Sequence, residues 1–132
     1  KPIRIFNNGN MLRDFTYIDD IIEGIMGVID NVAKKDDEFD YFNPNISTSW
    51  APYRLFNIGN SSPIRLMDFI NIIEECLGKK AIKIFEPMQP GDVEATSADV
   101  DLLKAWSGFE PKTSIKEGIE KFVKWYIDYY KF

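Results

Sequence analysis

A chain of 132 residues, 45% hydrophobic and 28% charged, suits one folded domain with a buried core and is too apolar for disorder. Its net charge of −5 weighs against a nucleic-acid surface but still admits one anionic small ligand held by a few cations. No apolar run reaches membrane-spanning length, no secretory signal opens the sequence, and the lone Cys76 allows no internal disulfide, which fits a reducing, cytoplasmic setting.

The first residue is Lys1, so a piece of a longer polypeptide is expected. Ile3 to Phe6 is a short β-prone run. Asn7-Asn8-Gly9-Asn10 follows, with Asn-Gly as the hairpin signal, and Met11 to Tyr17 reads as the return strand. The pattern therefore predicts a β-hairpin over residues 3–17, with Arg13, Phe15 and Tyr17 on one face. A cation on a short apolar segment followed by two carboxylates suits anion binding next to a capped helix. Asp19 or Asp20 caps a helix running to about Ala33, whose buried side is Ile18, Ile21, Ile22, Ile25, Met26 and Ile29. Gly24 and Gly27 cost helix stability and point to close approach of a neighbouring element.

Residues 34–52 carry a charge cluster and then Asn, Pro, Ser and Thr, the composition of a long surface loop, with Trp50 as its anchor. Tyr53 to Ile58 reads as a strand, residues 59–63 as a turn, and Leu66, Phe69, Ile70, Ile73 and Leu77 as the stripe of a helix ended by Gly78. Cys76 lies beside that stripe and reads as core, because the chain has no histidine to activate a thiol. Ala81 to Phe85 is a further strand region, and the prolines in 87–92 rule out helix interior there. Asp99 opens a short helix stopped at Gly108. Ser114 and Glu117 have capping-box spacing before a final helix. Ile115, Ile119, Phe122, Val123, Tyr126, Ile127 and Tyr130 form its buried side, and its aromatics (Phe122, Trp125, Tyr126, Tyr129, Tyr130, Phe132) read as packing.

Several chemistries are missing. There is no Gly-rich dinucleotide fingerprint, no P-loop, no Ser/His/Asp set, no metal-ligand spacing, and no tyrosine with a lysine four residues on. The residues alone thus describe a small mixed α/β domain without a self-contained active site. Its candidate ligand contacts are the segments around Arg13 and around Gln89 to Asp92.

The run Asn8 to Ile21, containing Arg13-Asp14-Phe15-Thr16-Tyr17-Ile18-Asp19-Asp20, resembles the C-terminal region of NAD-dependent nucleotide-sugar epimerases, which are extended short-chain dehydrogenase/reductases. Tyr53 to Asn60, Pro63 to Ile70, Pro87 to Val93, Thr96 to Asp99, Gly108 to Thr113 and Gly118 to Tyr130 extend the resemblance over essentially the whole chain. Met88-Gln89-Pro90-Gly91-Asp92-Val93 together with Phe122-Val123-Lys124-Trp125-Tyr126 most resembles the bacterial UDP-glucuronate 4-epimerases.

The resemblance implies that residues 1–132 are a C-terminal substrate-binding domain whose N-terminal partner is a Rossmann domain that binds NAD and carries the catalytic residues. It implies a UDP-sugar substrate and a full-length homodimer, while the negative charge and the lack of a long apolar run lead us to expect no nucleic-acid and no membrane partner. By the same resemblance Arg4 and Phe6 match the segment at the uracil, Arg13 the arginine at the diphosphate, and Asp92 the acceptor of ribose hydroxyls. Gln89 stands where related UDP-hexose epimerases often have a second diphosphate arginine, so it brings a hydrogen bond without a charge. A 4,6-dehydratase or decarboxylase on the same scaffold, and a free-standing binding module, are the alternatives.

Overall fold

The structure is a computed structural model and describes residues 1–131. Phe132, counted above in the final aromatic run, lies outside the described residues. In chain order the elements are β1 (Ile3–Ile5), β2 (Leu12–Arg13), α1 (Ile18–Asp30), β3 (Ile64–Arg65), α2 (Leu66–Leu77), β4 (Lys83–Phe85), α3 (Asp101–Ser107) and α4 (Ile115–Tyr130). The mixed α/β class read from the sequence holds. α1 packs on α3 and α2 packs on α4, with two small sheets between the segments that join them.

The expected hairpin is not formed. β1 runs parallel to β4, with Arg4 opposite Ile84, while β2 runs antiparallel to β3, with Arg13 opposite Ile64. The reason lies in the intervening turn. Asn7, Asn8 and Gly9 all take positive φ (48°, 50° and 82°), so the chain turns further than a two-residue hairpin loop allows. The Asn8 amide then donates to the Glu86 carbonyl at 3.0 Å, and the chain leaves β1 for another partner. Gly9 is buried, and a Cβ there would meet the Met67 side chain at 2.9 Å.

Tyr53 to Ile58 is not a strand either; only Arg54 makes an isolated bridge, to Thr48. The segment packs through Phe56 and Ile58, and Leu55 donates to the Ser47 carbonyl. Residues 34–52 form the expected loop, but Trp50 is exposed and does not anchor it.

The helices were read more closely. α2 ends at Gly78 in the left-handed conformation (φ 61°), and α3 ends at Gly108 (φ 72°). Ser114 caps α4 by accepting from the Glu117 amide at 3.2 Å. The core is Ile5, Met11, Val100, Leu103, Phe109, Ile119 and Val123. On α4, Ile119 and Val123 are buried as expected, whereas Phe122, Tyr126 and Tyr130 are exposed on the packed aromatic side of the helix.

α1 departs most from expectation. It presents Gly24 and Gly27 inward, where a Cβ at Gly24 would lie 2.5 Å from Ile58 and one at Gly27 would lie 2.8 Å from Ser107. Ile18, Ile22, Ile25, Met26 and Ile29 are exposed instead of buried. Asp20 is no cap. It is 4% exposed and accepts from the amide and hydroxyl of Thr113 at 3.1 and 3.0 Å, tying α1 to the start of α4.

Candidate functional site

Residues 83–96 form one continuous strip that is stitched first to β1 and then to β2. Ile3 and Ile5 exchange main-chain hydrogen bonds with Ile82 and Glu86, and Leu12 exchanges them with Glu94 and Thr96. Both ends of the candidate set are thus held against the same segment of the chain, Arg4 beside Glu86 and Arg13 beside Asp92.

At the first end, Arg4 makes a two-pronged ion pair with Glu86, at 2.6 and 2.5 Å, and its guanidinium lies 5.1 Å from the centre of the Phe6 ring. The pairing holds the Glu86 carboxyl below its ordinary range and raises Arg4 above its own. Phe6 is half-buried and Arg4 exposed.

At the second end, Arg13 and Asp92 meet directly, with Nη2 to Oδ1 at 2.9 Å. β2 carries Arg13, and a turn closed by the Asp92 amide donating to the Gln89 carbonyl at 3.2 Å carries Asp92. Gly91 within that turn has φ 83°, a conformation suited to glycine. The side chain of Gln89 is exposed and makes no hydrogen bond among the described residues. Arg13 does not share a face with its aromatic neighbours: Phe15 stacks on Phe69 of α2, centroids 3.9 Å apart and rings nearly parallel, while Tyr17 lies under Lys121 of α4.

Sequence reasoning missed Asp14. Its carboxylate accepts from the amides of Ser61, Ser62 and Ala98 at 3.0, 3.2 and 3.1 Å, and its own amide donates to the Thr96 hydroxyl. It thereby joins the end of β2 to the 59–62 turn and to the end of the 83–96 strip. Gly59 makes room for this: a Cβ there would sit 2.4 Å from the Ala98 Cβ. The only sequence signal was a carboxylate beside an arginine, which says nothing about distant amide partners.

Two cavities lie elsewhere. An apolar one of about 310 Å³ is lined by Phe15, Tyr17, Phe69, Ile73, Ile119 and Phe122. A groove of about 490 Å³ between α2 and α4 carries Cys76 with Lys116, Glu120 and Lys124. Neither touches the Arg13–Asp92 pair. Among the described residues no group of three or more His, Cys, Asp or Glu side chains could hold a metal ion, and no helix is long and apolar enough to cross a membrane.

No protein-family model matches the sequence. Protein CapI of Staphylococcus aureus is 48% identical over 131 residues, which cover 99% of this chain and 39% of that protein. A probable UDP-glucuronate 4-epimerase of Rhizobium meliloti is 40% identical over 135 residues, again 99% of this chain and 39% of the relative. The UDP-glucuronic acid 4-epimerase of Bacillus cereus, solved in complex with NAD, superposes with a TM-score of 0.72 at 29% identity, over 99% of this chain and 35% of that one. This chain has the fold of the C-terminal part of extended short-chain dehydrogenase/reductase epimerases. It spans 39% of the length of those curated relatives. In this chain the 83–96 strip, not a hairpin, links the two sheets that share residues 3–13.

Proposed function

We propose that this chain is the nucleotide-sugar-gripping part of an NAD-dependent 4-epimerase that interconverts UDP-glucuronate and UDP-galacturonate. The observation that carries the reading is the Arg13–Asp92 pair, set on the 83–96 strip of a chain that matches a probable UDP-glucuronate 4-epimerase along 99% of its length. In this reading Arg4 and Phe6 lie at the uracil, Arg13 at the diphosphate, Asp92 at the ribose hydroxyls, and Gln89 donates without adding charge. A guanidinium N–H suits a phosphate oxygen as a charged donor, and a carboxylate suits vicinal hydroxyls as acceptor.

None of these side chains transfers a proton or a hydride. They contribute binding energy and hold the sugar nucleotide in place. NAD, held by an N-terminal Rossmann domain outside this chain, would supply the oxidation at the sugar C4 and the return of hydride to the opposite face. On the resemblance alone, we read the full-length protein as a homodimeric cytoplasmic enzyme of polysaccharide biosynthesis. Incubating the full-length protein with UDP-glucuronate and following the sugar by proton NMR tests the function. Appearance of UDP-galacturonate is expected. Turnover to a 4-keto-6-deoxy or decarboxylated product, or no turnover at all, would reject it.

A further inference from the structure

We infer that Arg13 is a positioning residue for Asp92, over and above any contact of its own with a diphosphate. The inference rests on the proposed reading of Asp92 as the acceptor of ribose hydroxyls. Each terminal nitrogen of a guanidinium carries a pair of N–H groups, and the protein engages all of them. Nη1 donates to the Leu12 and Glu94 carbonyls at 2.9 and 3.2 Å. Nη2 donates to Asp92 Oδ1 at 2.9 Å and to the Val93 carbonyl at 2.8 Å, with Met11 Sδ at 3.4 Å. Only the Nε hydrogen has no partner among the described residues. The Arg13 side chain is 21% exposed, so these contacts are partly shielded from water.

Such a guanidinium is a brace. It ties β2 to residues 92, 93 and 94 at once and fixes one oxygen of Asp92. That oxygen also accepts from the Val93 amide at 2.8 Å. The other oxygen, Oδ2, accepts nothing from any described residue, on a carboxylate one-third exposed. One oxygen is thus anchored and the other left for a ligand, the arrangement that fixes an acceptor before binding. A lysine in place of Arg13 has a point charge and no fork, so it cannot hold a carboxylate and two carbonyls together.

The test compares UDP with 2′,3′-dideoxy-UDP on the full-length protein by calorimetry. The wild type should prefer UDP by about tenfold or more, the worth of a charge-assisted hydrogen bond. Asp92→Asn should reduce that ratio toward one. Arg13→Ala should reduce it as well, and the double variant should reduce it no further, because the two residues act as one unit. Arg13→Lys should recover some affinity for both nucleotides and none of the ratio. An Arg13→Ala protein that binds both nucleotides more weakly by the same factor, with the ratio intact, would overturn the inference. If Arg13→Ala fails to fold, an intact ratio in Arg13→Lys overturns it equally. A wild type that binds UDP with a ratio of one removes Asp92 from the ribose and the brace with it. A wild type that does not bind UDP rejects the underlying function instead.

Discussion

Glu74 shows how much one buried side chain can carry. It sits on α2, is 4% exposed, and meets Lys83 of β4, Lys80 at 2.9 Å and the Ala81 amide at 2.9 Å. These partners pull its carboxyl down from 4.5 to about 2. The folded pKa is therefore below the unfolded one. The stabilisation is fully present above about pH 4.5 and is lost as the pH falls toward 2, because protonation then favours the unfolded chain. Urea denaturation at pH 7 and at pH 3 should show a gap between wild type and Glu74→Gln that narrows at the lower pH. Equal gaps at both pH values would show that the carboxylate charge is not what holds α2 to β4. Glu86 and Glu110 are also held below their ordinary range, by Arg4 and Lys104, but Glu110 is well exposed and its pair is weakened by solvent. In the sequence Glu74 is one more polar residue in a helical pattern. Its burial becomes visible only when β4 delivers Lys83.

At the scale of elements, α1 exposes an aliphatic stripe that its periodicity marked for the core. Ile18, Ile22, Ile25, Met26 and Ile29 form a single exposed stripe, roughly 100° wide, on a helix that packs through its glycine side. Contiguous apolar stripes of this size mark a contact with another chain or domain. The isolated 132-residue chain should therefore self-associate at micromolar concentration, and Ile22→Asp with Ile29→Asp should return it to monomer in sedimentation experiments. A wild-type chain that stays monomeric at high concentration would show that the stripe alone does not drive association. The periodicity of α1 was legible, but the face that meets the core was not. Glycines permit closer helix packing than isoleucines, and Ile58, Phe109 and Ser107 fill the space they leave. α2 and α4 were legible at the ends marked by Gly78 and Ser114, because those signals act locally, but on α4 only Ile119 and Val123 of the expected stripe are buried while Phe122, Tyr126 and Tyr130 are exposed. The hairpin failed for the opposite reason: Asn-Gly fixes a turn, but which strand receives the returning chain depends on distant segments.

At the scale of the whole molecule, the residues proposed to grip a nucleotide-sugar include the Arg13–Asp92 pair, and no catalytic role is proposed for any of them. The isolated chain is accordingly expected to give no epimerisation of UDP-glucuronate and no tight binding of NAD, as followed by coupled product analysis and by fluorescence titration. Turnover by these residues alone would mean that the chemistry lies in them after all. The sequence by itself determined the α/β class and the helix ends marked by Gly78, Gly108 and Ser114, because caps and glycine stops are local, and it named Arg13, Gln89 and Asp92 as candidates. Only the tertiary structure decided that Arg13 reaches Asp92 across 79 positions, that Asp14 gathers three amides, and that the α1 isoleucines face outward. Those outcomes depend on which segments pack side by side, and long-range pairing is set by the burial and hydrogen bonding of the whole chain rather than by any short stretch of it.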